Sequence, residues 1–155
     1  MKKSHIVFID DEISHSQMLI RALERRGSDY IFHKETTHKK ALERIKTIEP
    51  DIVVLDLEIL PSLGPESGLK LLSEINSLDL STRVLVLTGY SAKEYGIKAI
   101  ELGAASFLQK PVVIDHLSAL LKDAVSYANL KKSYRLSKVK KTSTLLETRS
   151  RAMLD

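Results

Sequence analysis

The chain has 155 residues, 43% hydrophobic and 28% charged, a composition that suits one folded domain with an appendage and excludes disordered, collagenous and membrane-spanning classes. It has no cysteine, so disulfides, thiolate metal sites and a cysteine nucleophile are excluded, in keeping with a reducing, cytoplasmic address. The net charge of +4 is uneven: residues 122–155 carry nine Lys or Arg against three acids, a balance of +6, which leaves a mildly acidic body of −2 bearing a basic tail.

Met1 to Ser4 lead directly into the first β-branched run, His5-Ile9, too short for a signal-peptide core or a spanning helix, so no export is expected. That run ends in Asp10-Asp11. Ser14-x-x-Gln17 fits a capping box that opens a helix, and Gly27 falls where the helix should stop. A second run, Tyr30-Glu35, precedes a helix over about His38-Ile48. The third run, Asp51-Asp56, contains Ile52-Val53-Val54-Leu55, continuously apolar as expected of a strand covered on both faces. A helix over about Gly68-Leu78 follows, then the fourth run, Arg83-Thr88, with the equally apolar Val84-Leu85-Val86-Leu87. Ser91-x-x-Glu94 fits a second capping box, its helix ending near Gly103. The fifth run, Ser106-Gln109, is followed by Lys110, and a last helix starts near Asp115.

Strand and helix therefore alternate five times, which predicts a doubly wound α/β domain with its ligand crevice at the carboxyl ends of the strands. Asp10, Asp11, Asp56, Thr88 and Lys110 all stand at such ends and should converge there. Clustered carboxylates raise one another's proton affinity unless a cation sits among them, which implies a hard divalent ion. Mg²⁺ is the natural candidate, being held by one or two carboxylates, waters and phosphate oxygens. An aspartate oxygen could then attack phosphorus while Thr88 and Lys110 neutralise the charge on the phosphoryl oxygens. The histidines at 5, 15, 33, 38 and 116 show no zinc-ligand spacing and are read as surface or core residues.

Ile6-Val7-Phe8-Ile9-Asp10-Asp11-Glu12, Val53-Val54-Leu55-Asp56, Val86-Leu87-Thr88-Gly89 and Gly103-Ala104-Ala105-Ser106-Phe107-Leu108-Gln109-Lys110-Pro111 occur in an order that resembles the receiver domain of bacterial response regulators. The resemblance spans residues 5 to about 125. It implies a flavodoxin-like five-stranded parallel sheet of order 2-1-3-4-5, here with an extended C-terminal helix. It implies phosphorylation at Asp56 by a phosphohistidine on a histidine kinase or phosphotransfer protein, catalysed by the receiver itself. Mg²⁺ would be held by Asp11, Asp56 and the backbone carbonyl of Glu58, with Asp10 acting through water. Thr88 and Lys110 would bind phosphoryl oxygens, and Phe107 with Thr88 would be the switch residues. The family usually has a proline four and a glycine eight residues after the phosphorylated aspartate. Here Pro61 is five after and Gly68 twelve after, so the loop is about four residues longer. Glu58 and Tyr90, two residues beyond Asp56 and Thr88, stand where side chains obstruct or orient hydrolytic water, and an altered dephosphorylation rate is expected.

Residues 1–125 are read as the receiver body and 126–155 as a basic helical extension or linker. Leu120, Ala124, Tyr127, Leu130 and Tyr134 form a stripe at helical spacing, a candidate homodimer surface. Thr144-Leu145-Leu146-Glu147 fits a third capping box, opening a short helix to Leu154. Nucleic-acid binding is not expected from this chain alone, because basic charge by itself gives only nonspecific attraction. Two alternatives remain in view. The first is a receiver-like adaptor or dimerisation module that works without phosphorylation. The second is a haloacid dehalogenase-type phosphatase, whose Asp-x-Asp motif Asp10-Asp11-Glu12 does not supply.

Overall fold

The structure, a computed structural model, describes residues 2–58, 65–89 and 93–154. Five strands, β1 (Ser4–Ile9), β2 (Tyr30–Glu35), β3 (Ile52–Asp56), β4 (Arg83–Thr88) and β5 (Ser106–Gln109), form one parallel sheet of order β2-β1-β3-β4-β5. Between and after them lie α1 (Ile13–Arg25), α2 (His38–Ile48), α3 (Glu66–Ser77), α4 (Lys93–Glu101) and α5 (Ile114–Leu154). The expected doubly wound fold and strand order are those observed.

Alternation along each strand builds two apolar layers. Val7, Ile9, Val53, Leu55, Val84 and Val86 face α2, α3 and α4, meeting Ala41, Ile45, Leu71, Leu72, Ile75 and Ala99. Ile6, Phe8, Ile52, Val54, Leu85 and Leu87 face α1 and α5, meeting Leu19, Ile20, Leu23, Leu117 and Leu121. β3 is buried throughout, so its last residue, Asp56, is delivered from the middle of the core. Gly103 takes φ +102° where α4 ends, a conformation that a side chain would strain.

Several boundaries differ from expectation. α1 starts at Ile13, and its N-cap residue Glu12 makes no side-chain cap bond, so Ser14 lies inside the helix and caps nothing. The turn is held instead by Asp10, whose Oδ1 accepts from the Glu12 amide at 2.9 Å. α3 starts at Glu66, two residues before the expected position, with Pro65 at the cap. Ser91 of the second capping box lies outside the described residues. The third capping box is absent: α5 runs unbroken for 41 residues, and the Thr144 hydroxyl donates back to the Lys140 carbonyl at 3.0 Å. No Gly or Pro occurs after Pro111, so nothing in the chain forces that helix to stop.

Past residue 125, α5 still touches the body. Ala128 is fully buried, Lys132 Nζ lies 2.6 Å from Asp51 Oδ1, and Arg135 donates to the Asp79 carbonyl at 2.9 Å. The Arg83 guanidinium sits 3.9 Å from the centre of the Tyr127 ring.

Candidate functional site

The order of the sheet reverses between β1 and β3, and the crevice lies where these two strands end, as doubly wound folds require. The Asp10 amide donates to the Glu35 carbonyl at 3.1 Å, extending the strand pairing by one residue and fixing Asp10 at the crevice floor. Its carboxylate is almost wholly buried, with Oδ1 accepting from the Glu12 amide and Oδ2 lying 2.5 Å from His15 Nδ1. Burial pushes the Asp10 carboxyl above its ordinary 3.8, and the nearby Asp56 charge adds to the rise, while the His15 and Glu12 hydrogen bonds oppose it.

Asp56 is equally buried. Its Oδ1 accepts from the Glu58 amide at 3.0 Å and its Oδ2 from Lys110 Nζ at 2.6 Å. The backbone around it is pinned from two sides: the Leu57 amide donates to the Leu87 carbonyl at 3.1 Å, and the Gly68 amide donates to the Leu57 carbonyl at 3.0 Å. A Cβ on Gly68 would stand 2.3 Å from that carbonyl oxygen and 2.4 Å from Leu57 Cα, so only glycine permits α3 to approach the residue after Asp56. Gly68 thus closes the lengthened loop, whose residues 59–64, Pro61 among them, lie outside the described residues. Thr88 is buried at the end of β4, and its carbonyl accepts from the Lys110 amide at 2.7 Å, which brings the ends of β4 and β5 together. The Lys110–Pro111 peptide is cis.

Of the residues expected to converge, Asp10, Asp56 and Lys110 come together and Thr88 stands at the neighbouring strand end. Asp11 is exposed and does not join the ligand group. The Glu58 side chain is exposed and leans toward Gly89, where a Cβ would lie 3.4 Å from Glu58 Oε1; Tyr90 lies outside the described residues. Phe107 is half-buried against α4, its ring beside Gly96.

The residue that sequence reasoning missed is His15. One of its ring nitrogens and one carboxylate oxygen each from Asp10 and Asp56 all lie within 4.8 Å of one another, forming among the described residues a group able to hold a metal ion. The only signal was its spacing of five from Asp10, which has meaning once α1 is known to start at Ile13.

Comparison with known proteins identifies a family for the chain. A family model described as "Response regulator receiver domain" matches residues 6–122. The transcriptional regulatory protein ZraR of Escherichia coli O157:H7 is 31% identical over 125 residues, covering 81% of this chain and 27% of that protein. The regulatory protein AtoC of Escherichia coli K12 is 30% identical over 133 residues, covering 85% and 27%. The crystal structure of NtrX from Brucella abortus superposes with a TM-score of 0.75 at 25% identity, covering 92% of this chain and 30% of that one. The chain therefore spans a little over a quarter of the length of each of these three proteins. Among the described residues no helix is long and apolar enough to cross a membrane.

Proposed function

Because the chain belongs to the response regulator receiver domain family, we propose that it is a signalling switch in which Asp56 accepts a phosphoryl group from a phosphohistidine of a histidine kinase or phosphotransfer protein. The observation that carries this reading is the 2.6 Å contact between Lys110 Nζ and Asp56 Oδ2, at a crevice shared with Asp10. An Asp56 oxygen forms the bond to phosphorus as the phosphorus–nitrogen bond to the donor imidazole breaks; the electron pair of that bond leaves with the imidazole, which already carries a proton on its other nitrogen and so departs neutral. Lys110, already on the carboxylate, stays with the negative charge as it spreads over the phosphoryl oxygens, and the Thr88 hydroxyl donates to another of them. The chain is not an enzyme toward other substrates; it catalyses only its own phosphorylation and dephosphorylation.

The donor chemistry fits Mg²⁺, because two buried carboxylates face each other and burial opposes the charge on Asp10, a cost that a cation would offset. Asp10, Asp56 and the Glu58 carbonyl would hold the ion, and Asp11, exposed and outside that group, would have to turn inward to join them. When bound, it neutralises charge on the transferring group.

Phe107 and Thr88 form the proposed switch. Residues 1–125 are assigned to the receiver body and 126–155 to a basic helical extension whose first turns dock on that body. Exposed Leu130 and Tyr134 make the last helix the candidate homodimer surface. The working address is the cytoplasm, with neither membrane nor nucleic acid as a partner of this chain alone.

The test is intact-mass spectrometry after incubation with Mg²⁺ and acetyl phosphate, with Asp56→Asn and metal-free samples as controls. One labile adduct that needs both Asp56 and Mg²⁺ is expected. No adduct with several donors would overturn the reading in favour of a phosphorylation-independent adaptor.

A further inference from the structure

We infer that His15 supplies a nitrogen donor to the cation site of Asp10 and Asp56, so that this pocket takes first-row transition ions such as Mn²⁺ and Co²⁺ in preference to Mg²⁺. The inference rests on the reading that the crevice holds a divalent cation, and it names which ions the crevice selects.

The ring is placed for this role. A ring nitrogen of His15, an Asp10 oxygen and an Asp56 oxygen lie within 4.8 Å of one another, close enough to share one ion. The position is also rigid, because His15 stands in the first turn of α1. Leu19, Ile20 and Leu23 of the same helix are buried against the sheet, and the His15 amide donates to the Glu12 carbonyl at 3.2 Å. The side chain is 20% exposed, so the pocket keeps an open side for water and a phosphoryl oxygen.

The chemistry follows from ligand type. Mg²⁺ is a hard ion that prefers oxygen donors and holds its waters, so an imidazole in place of an oxygen adds little to its binding. Later first-row ions bind imidazole well, and the gain rises from Mn²⁺ through Co²⁺. Two buried carboxylates with one histidine make a mixed oxygen and nitrogen site that favours those ions. Lys110 holds Oδ2 of Asp56 and offers no lone pair while charged, so the extra donor comes from α1.

The test uses the full chain, titrated calorimetrically with MgCl₂, MnCl₂ and CoCl₂, alongside His15→Ala and His15→Asn. Pulsed electron paramagnetic resonance of the Mn²⁺ complex reads bonded nitrogen directly. The expected result is a loss of about tenfold or more in Mn²⁺ and Co²⁺ affinity in both variants. Mg²⁺ affinity should change by less than about threefold, and a directly coordinated ¹⁴N signal should be present in the wild type and absent in the variants. Equal losses for all three ions, or a wild-type Mn²⁺ complex without that signal, would overturn the inference and leave His15 as a residue that only positions Asp10. The Mg²⁺-dependent reading of the crevice would survive that result. It fails separately if the wild type binds no divalent ion, or if Asp56→Asn binds all three unchanged.

Discussion

The ring of Phe107 lies against the α-carbon of Gly96 so closely that a Cβ there would stand 2.6 Å from Cε2 and 2.7 Å from Cδ2. Glycine inside a helix costs about 1 kcal/mol relative to alanine. In α4 that cost opens a slot for an aromatic ring on β5. Gly96→Ala is expected to push Phe107 out of the slot, with an overpacking penalty of about 1–3 kcal/mol that the better helix propensity partly offsets. In a urea-unfolding double-mutant cycle with Phe107→Ala, the two changes should be strongly non-additive, because the clash needs both side chains. Additive free energies would show that ring and helix do not meet.

Lys132 reaches back from α5 to Asp51, whose side chain is 7% exposed and whose other oxygen accepts from the His5 amide at 3.1 Å. Replacing Lys132 with Met keeps the aliphatic stem and leaves a nearly buried carboxylate short of its ammonium. A loss of about 1–3 kcal/mol in urea unfolding is expected. Asp51→Asn in the same background should recover part of it. A chain ending at residue 125 should lose more, since it also removes Ala128 and the Tyr127 ring from Arg83.

The acid side of the stability profile has an identifiable contributor in the stacked pair His5 and His33, whose Nδ1 and Nε2 are 2.9 Å apart. Burial holds His33 below its ordinary 6.5, helped by the positive charges of Arg44 and His5 and opposed by Glu35. The unfolded chain therefore takes up this proton at higher pH than the folded chain does. Stability is full above about pH 6.5 and falls as the pH drops toward the folded value. Comparing urea midpoints at pH 7.5 and 5.5 should show the loss, and His33→Phe should reduce it.

Asp10 has the opposite sign. Its folded carboxyl is raised by burial, so in metal-free buffer it favours the fold at low pH and that advantage is lost as the pH rises through the folded value. Asp10→Asn keeps an oxygen for the Glu12 amide and carries no charge, so at neutral pH without metal it should melt higher than the wild type. At about 100 times its Kd, Mg²⁺ should stabilise the wild type by about 2.7 kcal/mol. The Asn variant should show a smaller rise. Equal Mg²⁺-induced shifts would remove Asp10 from the cation site.

Much of this arrangement is legible in the sequence because a parallel sheet with short, fully apolar strands has few ways to order its polar ends. Asp56 follows four buried residues, and Lys110 follows a strand that pairs beside Thr88, so their meeting follows from the fold class alone. His15 escaped because the phase of α1 depends on which group satisfies its first amides. Ser14 looked like the cap, but the buried Asp10 accepts the Glu12 amide, the helix starts two residues earlier, and the third helical residue turns toward the crevice. The same competition decided the tail: a threonine three residues before a glutamate reads as a start signal, yet inside a continuing helix its hydroxyl bonds backward to Lys140.

The unbroken α5 gives the molecule a shaft. Its 41 residues extend about 60 Å at about 1.5 Å of rise each, and the turns after Arg135 reach past the last point where the helix is tied to the body. A shaft transmits angle as well as reach. Removing one residue from its free part would turn everything beyond by about 100°, whereas removing seven would leave the heading within about 20° of the original. The length of this helix is therefore tolerant of change only in steps close to whole turns, such as about seven or eleven residues, and a deletion series should show any output borne at its far end waxing and waning with the helical period of about 3.6 residues.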